Sequence, residues 1–161
     1  VPLIVSGPAL GIRQGAVVHT PVSLLDIYPT LRELTAIDAW TVPLDGRSLA
    51  PVLRTETVLS DVPVFSEYDG PDTKGPERMV RFQNWKLNYY HHQGMELFNL
   101  ATDPREVCNL ANEPSHGEIR DRLWAMLTKE WDPEEVDRLV REDQNRRAWV
   151  TQCYKDKNKA L

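Results

Sequence analysis

The chain has 161 residues, of which 41% are hydrophobic and 27% charged, an ordinary composition for a globular protein. Its net charge of −5 gives no electrostatic reason to expect nucleic acid or an anionic membrane as a partner. The longest apolar runs, such as VPLIV at the start, fall far short of the roughly 20 residues that cross a bilayer. These properties leave room for one domain, or for part of a larger one.

The first predicted element is a strand. VPLIVSGPA is a near-continuous apolar run followed by turn residues, which favours a fully buried, parallel strand. Because such a strand needs neighbours on both sides, we expect the chain to begin in the middle of a larger sheet.

A helix is predicted next, with Thr20 as its N-cap and Pro21 at its first position. Its apolar residues recur at helical spacing: Leu24, Leu25, Tyr28, Leu31 and Leu34. A turn at Asp45–Gly46 and a short helix over residues 48–54 follow. VPVFSEYDG (62–70) then favours a second strand.

Residues 78–100 favour an antiparallel meander with turns at 83–84 and 93–94. Immediately after it, Asp103 has the properties of an N-cap, Pro104 those of a first helical residue, and Glu106 completes a capping box. We expect this capped turn to end an edge strand and reverse the chain. Residues 115–130 would then form a helix that packs on the sheet, and Asp132 would begin a charged final helix with a frayed basic end.

A search for metal ligands finds no convincing site. Aspartates occur in or beside predicted turns, where they commonly bind the local backbone: Asp38, Asp45, Asp61, Asp69 and Asp72. Because His91 and His92 are adjacent, a strand would place their side chains on opposite faces, too far apart to share an ion. His19 is the better candidate, since it follows a predicted parallel strand, although a plain surface histidine is the simpler interpretation.

Nucleophilic catalysis has no clear signature either. The chain lacks a GxSxG elbow and a phosphate-binding loop, and neither Cys108 nor Cys153 lies in a recognisable motif. The two cysteines fit free thiols better than a disulfide framework. An RNA-stacking role for RFQNWKLNYYHH is disfavoured by the acidic net charge.

Six ordered motifs resemble the C-terminal part of type I sulfatases, members of the alkaline phosphatase superfamily. They are VPLIVSGPAL, PVSLLDIYPTLRELTAI, LDGRSLAPVL, VFSEYD, RMVRFQNWKLNYY and ELFNLATDPREVCNLAN, which together span about residues 1–114. The final stretch resembles the C-terminal extension of choline-sulfatase-like members. The resemblance implies an α/β fold: the end of a large mixed sheet, followed by a small antiparallel sheet packed on a C-terminal helix (α+β in this fragment).

The resemblance also divides the chain into three parts. Residues 1–60 would end the large α/β domain, residues 61–131 would form the small antiparallel-sheet subdomain with its helix, and residues 132–161 would be a charged helical extension. The family hydrolyses sulfate esters with a formylglycine, made from Cys or Ser in C/S-x-P/A-x-R, and a divalent cation, usually calcium. No Cys or Ser here fits that motif. We therefore expect no catalytic or metal-binding residue in this chain, and no hydrolysis by the chain alone.

In the whole enzyme, this region would line the substrate cleft. We select Glu67, Tyr68 and Asp69 as cleft residues, then His19, with Arg78 and Arg81 as anion or carboxylate partners. The expected partners are a small-molecule sulfate ester and further copies of the chain, with no nucleic acid and no membrane; the compartment stays open. Two alternatives also stay open: a phosphonate or phosphate monoester hydrolase of the same superfamily, and a non-catalytic interaction module.

Overall fold

The computed structural model describes residues 2–37, 43–70 and 73–159. The chain forms two compact units, Val1–Val64 and Phe65–Leu161. The predictions at Asp38 and Asp72 lie outside the described residues. The division into three parts stays a prediction.

The first unit is built from short helices. Its α-helices are α1 (Ile27–Thr35) and α2 (Ala50–Arg54), and single 3-10 turns form at Pro8–Leu10 and Leu24–Asp26. The predicted strand at the start is wrong: residues 2–7 have no strand structure, and Ile4 is 90% exposed. A parallel strand exists only through hydrogen bonds to neighbouring strands, and the strands of the described residues all lie between Val64 and Asn99.

The helical segment containing α1 begins at Ser23, rather than at the predicted Thr20. Ser23 and Asp26 form a reciprocal capping box, in which the Ser23 backbone N–H donates to Asp26 Oδ2 at 2.9 Å. The buried Asp26 also accepts a hydrogen bond from the backbone N–H of Arg47 at 2.9 Å through Oδ1. The Asp26 carboxylate therefore accepts one hydrogen bond from the start of the helical segment and one from the connector that leads to α2. Among the five apolar residues at helical spacing, only Leu34 is buried.

The predicted turn at Asp45–Gly46 has a steric requirement. The Gly46 backbone approaches the carbonyl group of Leu25 so closely that a Cβ atom at position 46 would collide with it. Glycine therefore allows the connector to lie directly against the start of the helical segment.

The second unit contains a four-stranded sheet, in which the predicted strand at VFSEY joins the predicted meander. Its strands are β1 (Val64–Tyr68), β2 (Glu77–Phe82), β3 (Trp85–Tyr90) and β4 (Gly94–Asn99), in the order β1-β2-β3-β4. The pairs β2/β3 and β3/β4 are antiparallel, and their register aligns Val80 with Leu87 and Leu87 with Leu97. This confirms the meander and its turn at 83–84, whereas the second turn covers residues 91–93 and Gly94 already belongs to β4. The mixture of helices and an antiparallel sheet confirms the predicted fold class.

Helix α3 (Gly117–Leu127) covers one face of the sheet. Leu123 and Leu127 are fully buried and share a core with Val80, Leu87 and Leu97. Ile119 and Trp124 pack at the margin of this core, so the predicted apolar face of the helix is confirmed. Their spacing of three and four residues puts these side chains on one stripe of the helix.

The capped turn after β4 forms, but residues 104–110, which directly follow Asp103, are not helical. Asp103 Oδ2 accepts hydrogen bonds from the backbone N–H groups of Val107 and Cys108, both at 2.9 Å. Glu106 adopts a left-handed conformation (φ 56°), and its carboxylate binds Lys86 Nζ at 2.6 Å, so the capping box is wrong. Asp103 therefore closes a loop. The left-handed conformation of Glu106 prevents this loop from forming a helical turn.

The final helix, α4 (Pro133–Lys159), starts where predicted, and Asp132 Oδ1 accepts the backbone N–H of Glu134 at 3.0 Å. It is helical through Lys159, including the described part of the basic segment that was expected to fray. Cys108 and Cys153 are exposed free thiols, as predicted. Within the described ranges, no helix is both long and apolar enough to cross a membrane.

Replacing Asp103 with Asn should destabilise the second unit in a pH-dependent way. The hydrogen bonds from Cys108 and Val107 lower the pKa of Asp103 below 3.8, because they favour the charged carboxylate. Its contribution to stability is therefore complete above pH 3.8 and is lost as the pH falls through the lower, folded-state pKa. Thermal unfolding followed by tryptophan fluorescence should show a lower Tm for Asp103→Asn at neutral pH, and a difference that narrows as the pH falls below 3.8.

Asp121→Asn is the matched control, since Asp121 is an exposed aspartate on α3. It should leave the Tm nearly unchanged at neutral pH. A difference between wild type and Asp103→Asn that stays constant as the pH falls would contradict the role assigned to the charged carboxylate.

Candidate functional site

Strands β1, β2 and β3 line a cleft of about 290 Å³ in the second unit. Glu67 and Tyr68 come from β1, and Arg78 comes from β2. The other lining residues include charged and aromatic side chains: Glu77, Lys86, Tyr89 and Tyr90. Three of the predicted cleft residues, Glu67, Tyr68 and Arg78, are therefore brought together.

Arg78 is held by several groups at once. Its Nη1 donates to the carbonyl oxygen of Leu127 at 2.9 Å, and its Nε lies 3.1 Å from Glu67 Oε1 in an ion pair without hydrogen-bond alignment. The guanidinium also lies over the rings of Phe65 and Trp131, with 4.9 and 5.3 Å to their centroids. The Arg78 side chain is only 13% exposed. Its contacts with Leu127, and with Phe65 and Glu67, connect β2 to the end of α3 and to β1.

Arg81 does not act together with Arg78. The two residues are three apart on β2, so their side chains leave opposite faces of the sheet. Arg78 lies on the face covered by α3, while Arg81 is on the other face, across from Lys86. The two arginines therefore cannot clamp one sulfate group.

Tyr68 and Asp69 are exposed where β1 ends, and only Tyr68 of the two lines the cleft. Tyr68 is 56% exposed, and Asp69 is the first residue after the strand. Gly70 lies directly against the Tyr68 ring, where a Cβ atom would collide with the phenol. This contact holds the start of the following loop beside the cleft. His19 lies on an exposed segment of the first unit, whereas the other five predicted residues lie in the second.

A row of polar side chains along β3 was not predicted from the sequence. Lys86, Asn88 and Tyr90 alternate along the strand and share the face opposite the core. Tyr90 Oη and Asn88 Nδ2 donate to the same Glu96 oxygen at 3.0 and 3.2 Å. Burial, followed by the hydrogen bond to Glu96, raises the pKa of Tyr90 to about 12. The alternation of apolar and polar residues in WKLNYY is the sequence pattern that could have predicted this row.

The structure also overturns the argument about adjacent histidines. His91 and His92 lie in the turn after β3, not in a strand, and their ring centroids are 3.7 Å apart. Together with Glu134 they form a group whose potential ligand atoms all lie within 4.8 Å of one another. Strand alternation stops at Tyr90, so it does not separate these two side chains.

Comparison with known proteins identifies the family. A family model described as N-sulphoglucosamine sulphohydrolase, C-terminal, matches residues 1–133. The chain belongs to this sulfatase family. Its resemblance to the C-terminal part of type I sulfatases is thereby confirmed.

Individual sulfatases show the same relationship. The chain is 39% identical to a choline-sulfatase from Rhizobium meliloti over an alignment of 163 residues. That alignment covers 93% of this chain and 29% of the choline-sulfatase. It is 34% identical to a solved 2-O GAG sulfatase, with a TM-score of 0.55 over 63% of this chain and 22% of the other. A solved phosphonate monoester hydrolase from Silicibacter pomeroyi is 25% identical, with a TM-score of 0.57 over 72% of this chain and 26% of the other. The chain thus spans less than a third of these proteins.

Replacing Arg78 with Ala should destabilise the second unit by about 2 kcal/mol, because a charge-assisted hydrogen bond and the packing on two rings are lost. Glu67→Gln should cost less than about 1 kcal/mol, since Glu67 is 44% exposed and its ion pair is screened by water. Urea denaturation followed by tryptophan fluorescence measures both changes. Equal losses for the two variants would show that the ion pair, and not the contact with Leu127, dominates.

Proposed function

We propose that this chain is the C-terminal part of a sulfatase that hydrolyses sulfate monoesters. The match of the sulfatase family model to residues 1–133 carries the proposal. The similarity to a choline-sulfatase over 93% of the chain supports it.

The residues of this chain do not fit the family's catalytic group. Neither cysteine lies in C/S-x-P/A-x-R, since the two contexts are CNLAN and CYKDK, and no serine fits the motif. The histidine-containing group at the β3–β4 turn is also unlike the all-oxygen ligand set that calcium prefers. We therefore propose that the formylglycine and the catalytic cation are supplied by sequence outside these residues.

The charges at the end of β1 suggest which part of a substrate this region would contact. Glu67 and Asp69 are acidic and would repel a sulfate group, whereas they can accept hydrogen bonds from hydroxyl groups or attract a cation. Tyr68 adds an exposed aromatic ring beside them. We propose that these three residues contact the alcohol portion of the ester, and that the sulfate is bound elsewhere in the whole enzyme.

Copies of the chain are also proposed to associate through α4. This helix exposes Trp149 (68%) and Tyr154 (69%), large side chains whose burial between subunits would be favourable. A phosphonate monoester hydrolase is the second candidate activity, because a solved enzyme of that kind has a TM-score of 0.57.

Hydrolysis of para-nitrophenyl sulfate in the presence of calcium tests the main proposal. We expect turnover by the longer product of the source gene and none by the 161-residue chain, because this chain lacks a formylglycine motif. A para-nitrophenyl phosphonate ester, assayed in parallel, distinguishes the second activity. Reproducible turnover by the chain alone would overturn the proposal, as would a longer product that hydrolyses only the phosphonate.

Asp69→Asn in the longer protein tests the proposed contact with the alcohol group. We expect a higher KM with little change in kcat, because a group remote from the reacting sulfur stabilises the ground state and the transition state equally. Asp61→Asn makes the same chemical change at another exposed position and should leave both constants unchanged. A KM that stays at the wild-type value in Asp69→Asn would contradict the proposed contact between Asp69 and the alcohol portion of the ester.

A further inference from the structure

The turn between β3 and β4 brings two imidazole rings next to the start of α4. The His91 backbone N–H donates to the carbonyl oxygen of Pro76 at 3.0 Å, and Gly75 packs on the His91 side chain, where a Cβ atom would lie 3.2 Å away. His92 adopts a left-handed conformation (φ 61°). These constraints place the two rings on the same side of the turn, with their centroids 3.7 Å apart.

His91 is buried with one ring nitrogen unsatisfied. Only 1% of the residue is exposed, and its Nδ1 lies 3.0 Å from Tyr89 Oη. Its Nε2 is buried and makes no hydrogen bond, and the nearest carboxylate oxygen, Glu134 Oε2, is 3.7 Å away. A buried polar atom without a partner is costly, so a ligand that this nitrogen can bind would be favourable.

We propose that His91, His92 and Glu134 bind a divalent transition-metal ion of the zinc type. Their potential ligand atoms all lie within 4.8 Å of one another. Zinc–nitrogen and zinc–oxygen bonds of about 2.0–2.2 Å place tetrahedral ligand atoms about 3.4 Å apart. The separation of 3.7 Å between His91 Nε2 and Glu134 Oε2 is close to this value, and the other ligand separations, which lie within 4.8 Å, would shorten as the exposed His92 and Glu134 side chains close on the ion.

The ligand types favour zinc over calcium. Imidazole nitrogen suits zinc and related transition metals, whereas calcium and magnesium prefer oxygen. The hydrogen bond between Tyr89 and His91 Nδ1 can orient the ring and leave Nε2 free for the ion, as outer groups do at known zinc sites. The Glu134 side chain is 73% exposed, so water can occupy the fourth position.

Such an ion would bridge α4 and the turn between β3 and β4. His91 and His92 belong to the β3–β4 turn, while Glu134 is the second residue of α4. An ion that binds only the folded chain stabilises it by an amount that rises with the logarithm of the metal concentration above the Kd. The proposed role is therefore structural, and separate from the ester hydrolysis proposed above.

Titration of the 161-residue chain with zinc chloride and with cobalt(II) tests the site. Both exposed cysteines are first replaced by serine, so that thiolates cannot bind the metal. Calorimetry should show one zinc ion per chain, cobalt should give the visible absorption of a tetrahedral site, and zinc should raise the Tm. His92→Ala and Glu134→Gln should each weaken zinc binding at least about tenfold.

Controls separate loss of a ligand from loss of structure. His91 is buried and its removal can unfold the unit, so the test uses His92 and Glu134, which are exposed. His19→Ala removes an exposed imidazole, and Glu130→Gln an exposed carboxylate; both should bind zinc as the parent does. Tyr89→Phe should weaken binding while keeping the cobalt spectrum. Absence of zinc binding, or equal binding by the parent, His92→Ala and Glu134→Gln, would overturn the proposal.

Discussion

Burial of one face of the small meander is the constraint on which the second unit depends. Val80, Leu87 and Leu97 are aligned across β2, β3 and β4, and each is completely inaccessible to water. Leu123 and Leu127 of α3 complete this core. Because removing apolar surface from water is the main favourable term in folding, this contact determines where α3 lies. The hydrogen bond from Arg78 to the carbonyl oxygen of Leu127 then joins β2 to the end of α3.

Two polar side chains bind backbone groups that regular secondary structure leaves without hydrogen-bond partners. Asn109 Oδ1 accepts the backbone N–H groups of Leu97 and Ala111, and its Nδ2 donates to the carbonyl oxygen of Met95. It therefore replaces a neighbouring strand along part of β4, which protects an otherwise open edge. Asp103 closes the loop just before it, again by accepting two backbone N–H groups. In both cases one side chain substitutes for regular secondary structure.

The same geometry separates structural from functional roles among the cleft residues. Arg78 is held by packing and hydrogen bonding, so its charge is committed within the unit. Tyr68 and Asp69 are exposed at the end of β1, and substrate contact is proposed for them. A sulfatase built in this way would keep its chemistry outside this region and use the region to recognise the alcohol. The metal site proposed at His91, His92 and Glu134 would connect α4 to the β3–β4 turn, a link that hydrolysis does not require.

The sequence by itself determined the meander, the apolar stripe of α3 and the family, because strand alternation, helical spacing and ordered motifs are local patterns. It determined the absence of a formylglycine motif equally well. Only the tertiary structure decided that Glu106 binds Lys86 instead of capping a helix, and that residues 2–7 form no strand. It also brought His91, His92 and Glu134 together. These outcomes depend on contacts between distant residues and on left-handed turn residues, which local periodicity does not encode.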